Sequence, residues 1–177
     1  VKTVIPYFER FVSAFPSVWQ LAEASEDQVL HHWTGLGYYA RARNLHKSAK
    51  QVVLEYNGEF PLTIEALIEL PGIGLSTAGA IMAISANKRA TILDGNVKRV
   101  LARCYSIEGW PGNGAVAKEL WRIAEKLTPE TRVADYTQAI MDLGATLCTR
   151  TSPQCTDCPF GSDCSAHQHG REAEFPT

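Results

Sequence analysis

Residues 70–81 read Leu-Pro-Gly-Ile-Gly-Leu-Ser-Thr-Ala-Gly-Ala-Ile. Pro71 and Gly72 stop one helical segment, and a small-residue run from Leu75 to about Ala86 starts the next. The pattern predicts helix, tight reversal, helix over 70–81. Two glycines leave the backbone of the reversal bare. Amide N–H groups at the start of a helix, backed by the positive end of its dipole, suit a phosphate. Such a contact positions a nucleic acid without reading its sequence. The plainer reading of the same residues is an ordinary helix–helix turn.

Outward from this stretch the apolar period stays helical. Val4, Ile5, Phe8, Phe11, Val12 and Phe15 share one face, and Ser25 with Gln28 reads as a capping box opening a helix through His32. Ala42, Leu45, Ala49, Val52, Val53 and Tyr56 mark a longer helix that Asn57-Gly58 ends. Thr63 to Leu70 is short. Downstream, helices are expected from Asp94-Gly95-Asn96 to about Tyr105, around Val116–Leu127, and from Val133 to Leu147. Thr91-Ile92-Leu93 is too short for a strand, so the fold class is all-α. Periodicity fades from about Ser165, which reads as the start of a linker.

The chain has 177 residues, 45 % apolar and 20 % charged, with net charge −2. That is an ordinary globular composition with no membrane span and no signal peptide. So little net charge means that any footprint on a polyanion is local. Two basic patches offer one: Arg41, Arg43, His46, Lys47 and Lys50, and Lys98, Arg99 and Arg103.

Cys148, Cys155, Cys158 and Cys164 are spaced C-x6-C-x2-C-x5-C. Four thiolates on one short segment can hold an iron–sulfur cluster or zinc. Zinc sites usually pair two knuckles, and only Cys155-x2-Cys158 is one, so the spacing favours a [4Fe-4S] cluster in a structural role. A fifth cysteine, Cys104, sits in a helical pattern far from the other four. An odd count with four clustered argues for metal in a reducing, intracellular compartment, not disulfides. Arg150, inside the cysteine loop, could face a phosphate or be merely solvated.

Asp94 precedes a helix, where an aspartate most often serves as an N-cap. The functional reading is a carboxylate at the positive end of a helix, aimed at the oxocarbenium-like sugar that forms when a glycosidic bond breaks. One oxygen can cap while the other faces a substrate.

Taken together, Leu70-Pro71-Gly72-Ile73-Gly74, then Asp94, then the four-cysteine loop resemble the helix–hairpin–helix DNA glycosylases of the endonuclease III superfamily. The stretches Trp33–Arg43, Ser76–Ile81 and Leu93–Leu101 look like its adenine DNA glycosylase branch. The resemblance implies a six-helix barrel lobe over 1–90 carrying the hairpin. A second lobe over 91–166 would hold the cluster loop at 148–164, with a linker beginning at 167–177. It implies a monomeric base excision repair enzyme on double-stranded DNA, removing a flipped-out adenine mispaired with 8-oxoguanine or guanine. A bacterial protein of this kind works in the cytoplasm or at the nucleoid.

By the same resemblance Asp94 is the catalytic aspartate and Asn96 its active-site neighbour. The amides near Gly72 and Gly74 grip phosphate, and the carbonyls of Leu70 and Ile73 are a candidate seat for a monovalent cation; Lys98, Arg99 and Arg150 are candidate DNA contacts on their charge alone. Tyr38 corresponds to an aromatic wedge beside the lesion, the alternative being an apolar side chain packed at a helix start. Bifunctional relatives carry a lysine where Ser76 stands. A hydroxyl cannot form their Schiff base, so a hydrolytic, monofunctional enzyme is expected. The family's general-acid glutamate falls upstream of Val1, with Glu9 out of register for it. Its 8-oxoguanine-reading domain falls beyond Thr177. The chain alone is therefore expected to be feebly active or inactive, and weakly discriminating. The competing readings are an endonuclease III-type pyrimidine glycosylase, a non-catalytic DNA-binding module and a ferredoxin-like electron carrier.

Overall fold

The computed structural model describes residues 4–177, so the register expectation at Val1 lies outside the described residues. The chain divides into two compact units, Val1–Gly74 and Leu75–Thr177.

The first unit carries α1 (Ile5–Ala14), α2 (Val18–Glu23), α3 (Glu26–Trp33), α4 (Tyr39–Tyr56) and α5 (Ile64–Ile68). Side-chain oxygens start three of them: Ser17 accepts from Gln20 N, Ser25 forms a full capping box with Gln28, and Thr63 accepts from Ala66 N. The α4 helix ends at Asn57 in the left-handed conformation, φ 52°. It packs on α2 and α3 around Leu21, Val29, Ala42 and Ala49. Phe11 of α1 and Phe15 just after it close this core edge-on, Phe11 lying 6.0 Å from Trp33. Ile5, Phe8 and Val12 stay exposed, so only part of the apolar face of α1 is covered.

The second unit carries α6 (Leu75–Ala86), α7 (Gly95–Cys104), α8 (Gly114–Leu127), α9 (Val133–Thr146) and the single turn α10 (Ser165–Gln168). Both α6 and α7 pack on α9, and α8 and α10 pack on α7. The expected division at 90/91 differs from this one because α6 lies against α9 and so joins the downstream helices. The core collects Val97, Val100, Leu101, Leu120, Ile123, Ile140 and Leu143. Each such side chain contributes about 1.5–3 kcal/mol of burial. Ile92 and Leu93 join it from an extended segment lying on α6.

The tail differs from the expected linker: Ala166 is 0 % and Phe175 2 % exposed, both in the core of this unit. Single apolar residues seated in a core leave no period in the sequence, which is why the segment looks unstructured.

Candidate functional site

Asp94 caps α7. Its Oδ1 accepts from Val97 N at 2.8 Å, and among the described residues Oδ2 has no partner. One residue upstream, Leu93 N donates to Ser76 Oγ at 2.9 Å, tying the approach to Asp94 to the first turn of α6. Asn96 sits in the first turn of α7, and its Oδ1 accepts from Arg99 Nη2 at 2.9 Å. The same guanidinium donates to Gly144 O at 2.6 Å and to Cys148 O at 2.8 Å. Arg99 thus spends donors expected for DNA on joining Asn96 to the end of α9 and the first cysteine. At this crossing Gly144 has no room for a side chain, because a Cβ there would lie 2.7 Å from Asn96 Cβ.

Lys98 and Arg150 meet at one open cavity of about 640 Å³, which Gly95, Arg99 and Trp110 also line. Lys98 Nζ lies 3.5 Å from Pro111 O, and Arg150 is exposed. Two long cations beside Gly95, the residue after Asp94, suit a phosphate near a substrate held there.

Arg103 departs from the expected basic patch. It is 3 % exposed, and among the described residues no carboxylate pairs with it. Its donors reach Glu172 O, Phe175 O, Thr149 O, Arg150 O and Cys148 Sγ, the last at 3.3 Å. The upstream patch thins in the same way: His46 is buried against Ala24 O, and Arg43 pairs with Glu26.

Cys148, Cys155, Cys158 and Cys164 line one cavity with Val100, Leu143 and Leu147. Cys104 lines it too, contrary to the expectation that it lies far from the cluster. It is four residues after Val100, on the face of α7 that α10 covers. Burial and the Glu172 carboxylate push the Cys155 thiol up to about 11. A cation in the cavity would reverse that, since coordinated thiols deprotonate. The buried guanidinium of Arg103 likewise calls for anionic charge, and four thiolates would supply it. The residues present therefore fit a thiolate-bound metal group. Cys155, His167 and Glu172 also place ligand atoms within 4.8 Å of one another and could hold a metal ion. Both sets use Cys155, so one group at a time is served.

The other three residues singled out belong to the first unit. Tyr38 precedes α4 with φ 50°, a left-handed conformation that costs a non-glycine residue of order 1–3 kcal/mol. Trp33 Nε1 holds the loop by donating to Gly37 O at 2.9 Å, and the Arg41 guanidinium lies over the Tyr38 ring. Tyr38 is 78 % exposed. Gly72 has φ 81°, while nothing lies within 4 Å of where a Cβ of Gly74 would stand. Ser48 Oγ donates to Pro71 O at 2.9 Å, and Leu70 O accepts from Ile73 N at 3.1 Å.

Sequence reasoning missed Arg103 as a clamp, Cys104 as a neighbour of the cluster cysteines, and His167 with Glu172. One signal was available. Arg99 and Arg103 are four apart on one helix face, a like-charge spacing that is unfavourable unless each has its own acceptors.

A helical chain with a Pro-Gly reversal, a capped aspartate beside a serine, and a cysteine-lined cavity is the setting for the comparisons. Residues 1–126 match the HhH-GPD superfamily base excision DNA repair protein family, and the chain belongs to that family. Among curated relatives it is 44 % identical over 176 residues to the adenine DNA glycosylase of Buchnera aphidicola from Acyrthosiphon pisum. That match covers 99 % of this chain and 50 % of the relative. It is 43 % identical to human adenine DNA glycosylase, covering 99 % of this chain and 32 % of that protein. The chain spans about half or less of the length of these relatives. Its structure resembles a thermostable thymine-DNA glycosylase with TM-score 0.83 at 26 % identity, covering 94 % of this chain and 76 % of that one. An endonuclease III–DNA complex shares the fold, with TM-score 0.80 at 24 % identity over 96 % and 78 % of the two chains. Among the described residues no helix is long and apolar enough to cross a membrane.

Proposed function

We propose that the chain is the core of a monofunctional DNA glycosylase that hydrolyses the N-glycosidic bond of adenine mispaired with 8-oxoguanine or guanine. The observation that carries this reading is Asp94: one oxygen is fixed by the α7 cap and the other is left for a substrate. As the base departs, positive charge builds on the sugar. A preorganised carboxylate stabilises it without reorganising at that moment. Asn96, held by Arg99, orients the same region. Ser76 has no amine for a Schiff base, and its hydroxyl already accepts from Leu93 N, so water completes the reaction. Likeness to the adenine-specific relatives supports the choice of base.

In the bound state the amides after Gly72 and around Gly74 take a phosphate of the duplex, with the Leu70 and Ile73 carbonyls as the seat of a monovalent cation. Lys98 and Arg150 take further phosphates, and Tyr38 wedges beside the extruded adenine. Cys148, Cys155, Cys158 and Cys164 would hold a [4Fe-4S] cluster, which supplies a covalent cross-link for a loop with little core of its own. The partner is double-stranded DNA, the protein acts as a monomer, and its compartment is intracellular, the cytoplasm or nucleoid in a bacterium.

The test is single-turnover base release and binding on A:8-oxoguanine duplex. Asp94→Asn keeps an N-cap of equal quality. Release that this variant abolishes while duplex binding persists supports the reading. Binding without release, both in this chain and in a version extended upstream, points to a non-catalytic module. Thymine-glycol release with strand nicking points to the pyrimidine-specific relatives.

A further inference from the structure

Trp110 is 67 % exposed, and no step of the proposed reaction uses it. Leaving an indole in water forgoes the burial that a tryptophan usually supplies. Yet its setting is rigid. Asn113 N donates to Trp110 O at 2.9 Å, closing a turn whose second position is Pro111. Asn113 then caps α8, its Oδ1 accepting from Ala115 N at 2.9 Å. On the other side Gly109 has φ 92°, and its N donates to Thr177 Oγ1 at 3.3 Å. The indole lies on bare backbone, since a Cβ added at Gly112 would overlap its six-membered ring. The rest of the ring opens onto the cavity of about 640 Å³ that Lys98 and Arg150 also line. The charged side chains lining that cavity are cationic, and among the described residues no Asp or Glu joins them. Arg99 and Arg103 direct donors to the Gly144, Cys148 and Thr149 carbonyls, so Lys98 and Arg150 carry the attraction for an anion. Lys98 Nζ lies 3.5 Å from Pro111 O, which sets one cation against the turn that carries the ring. A preorganised aromatic face beside two cations, with no acid to repel phosphate, matches a nucleotide: stacking for the base and charge for the phosphate.

We infer that Trp110 is a stacking platform for an unpaired nucleobase of a strand whose phosphates Lys98 and Arg150 hold. It is a binding residue beside the reaction, not a catalytic one. Gly95, which follows Asp94, borders the same cavity, so the base it takes is one released from the duplex next to the Asp94 site. The inference rests on DNA being the partner, as in the function proposed above. A base still paired and stacked offers no free face, so a fully paired duplex gains nothing from the ring.

The experiment uses 2-aminopurine, whose fluorescence is quenched by stacking. It stands opposite an abasic analogue in one duplex, and paired with thymine in another. Binding of the wild-type chain should dim the unpaired probe and leave the paired one unchanged. Trp110→Leu should abolish that quenching and weaken binding of the unpaired-probe duplex by about 10-fold, with paired-duplex affinity barely changed. Trp110→Phe keeps an aromatic face and should restore much of both, which a merely structural role would not require. Because the ring is mostly exposed, both variants should match the wild type in helical circular dichroism. No quenching in the wild type, quenching that survives Trp110→Leu, or an equal loss of affinity for both duplexes would overturn the platform. Equal quenching of the free 2-aminopurine nucleotide would assign the site to free nucleotides and overturn the strand contact. Base release from A:8-oxoguanine duplex is scored separately. Its absence while quenching persists would sink the glycosylase reading and leave the platform standing.

Discussion

The turn at Leu70–Gly74 and the loop at Cys148–Cys164 serve the same expected partner by opposite means. The turn is nearly all backbone: a left-handed glycine, one hydrogen bond from Ile73 N to Leu70 O, and one from Ser48 Oγ to Pro71 O. Leu70, 1 % exposed, anchors it. The loop is held from outside by side chains: Arg99 donates to Cys148 O, and the donors of Arg103 reach Thr149 O, Arg150 O and Cys148 Sγ and continue to the tail. A short turn closes at little entropic cost and can leave its amides bare for a ligand. A longer loop with little apolar content needs an imported cross-link.

If that contrast is right, the largest loss follows from the clamp. Arg103→Met should remove about 3–5 kcal/mol of stability in urea unfolding, because several buried acceptors lose a charged donor together. An effect below about 1 kcal/mol would break the comparison. Next comes Gly72→Ala, at about 1–3 kcal/mol. It forces an L side chain into φ 81°, and its Cβ would meet Asn44 Cβ at 2.8 Å. Duplex affinity should fall with it in a fluorescence-anisotropy titration.

Smaller again is Ser48→Ala, which leaves Pro71 O without its donor and should cost about 1 kcal/mol in the same urea assay. The smallest stability change is expected for Gly74→Ala. That position is open, so unfolding should move by less than about 0.5 kcal/mol. Duplex binding should still weaken if a phosphate approaches there, and unchanged binding would remove Gly74 from the proposed grip.

Helices that carry their own start signals were legible in the sequence. Ser25 with Gln28 and Asp94 behave as local chemistry dictates, since a cap is decided within four residues. The small-residue run from Leu75 to Ala86 falls on α6 as printed in the sequence. The four clustered cysteines line one cavity. What escaped was long-range. Arg99 and Arg103 look like surface cations until residues more than forty positions away supply their acceptors. Cys104 looks solitary until α10 brings Cys164 beside it, and Phe175 looks like linker until its carbonyl meets Arg103. Tyr38 shows the converse, since neither its left-handed backbone nor its exposure follows from the Gly35–Tyr39 composition alone.

The missing methyl at Gly144 has a manufacturing sense. Where α7 and α9 pack, Gly144 lies against Asn96, and the thinness of that contact sets where Asn96 stands. An added Cβ acts as a shim: it would leave the parts intact and the assembly mis-set. Under the proposed function the protein would search undamaged DNA and act on one base, so its working tolerance would be narrow even where its stability margin is not. Damage to Gly144 would then show first at Asn96, which the added Cβ would push aside.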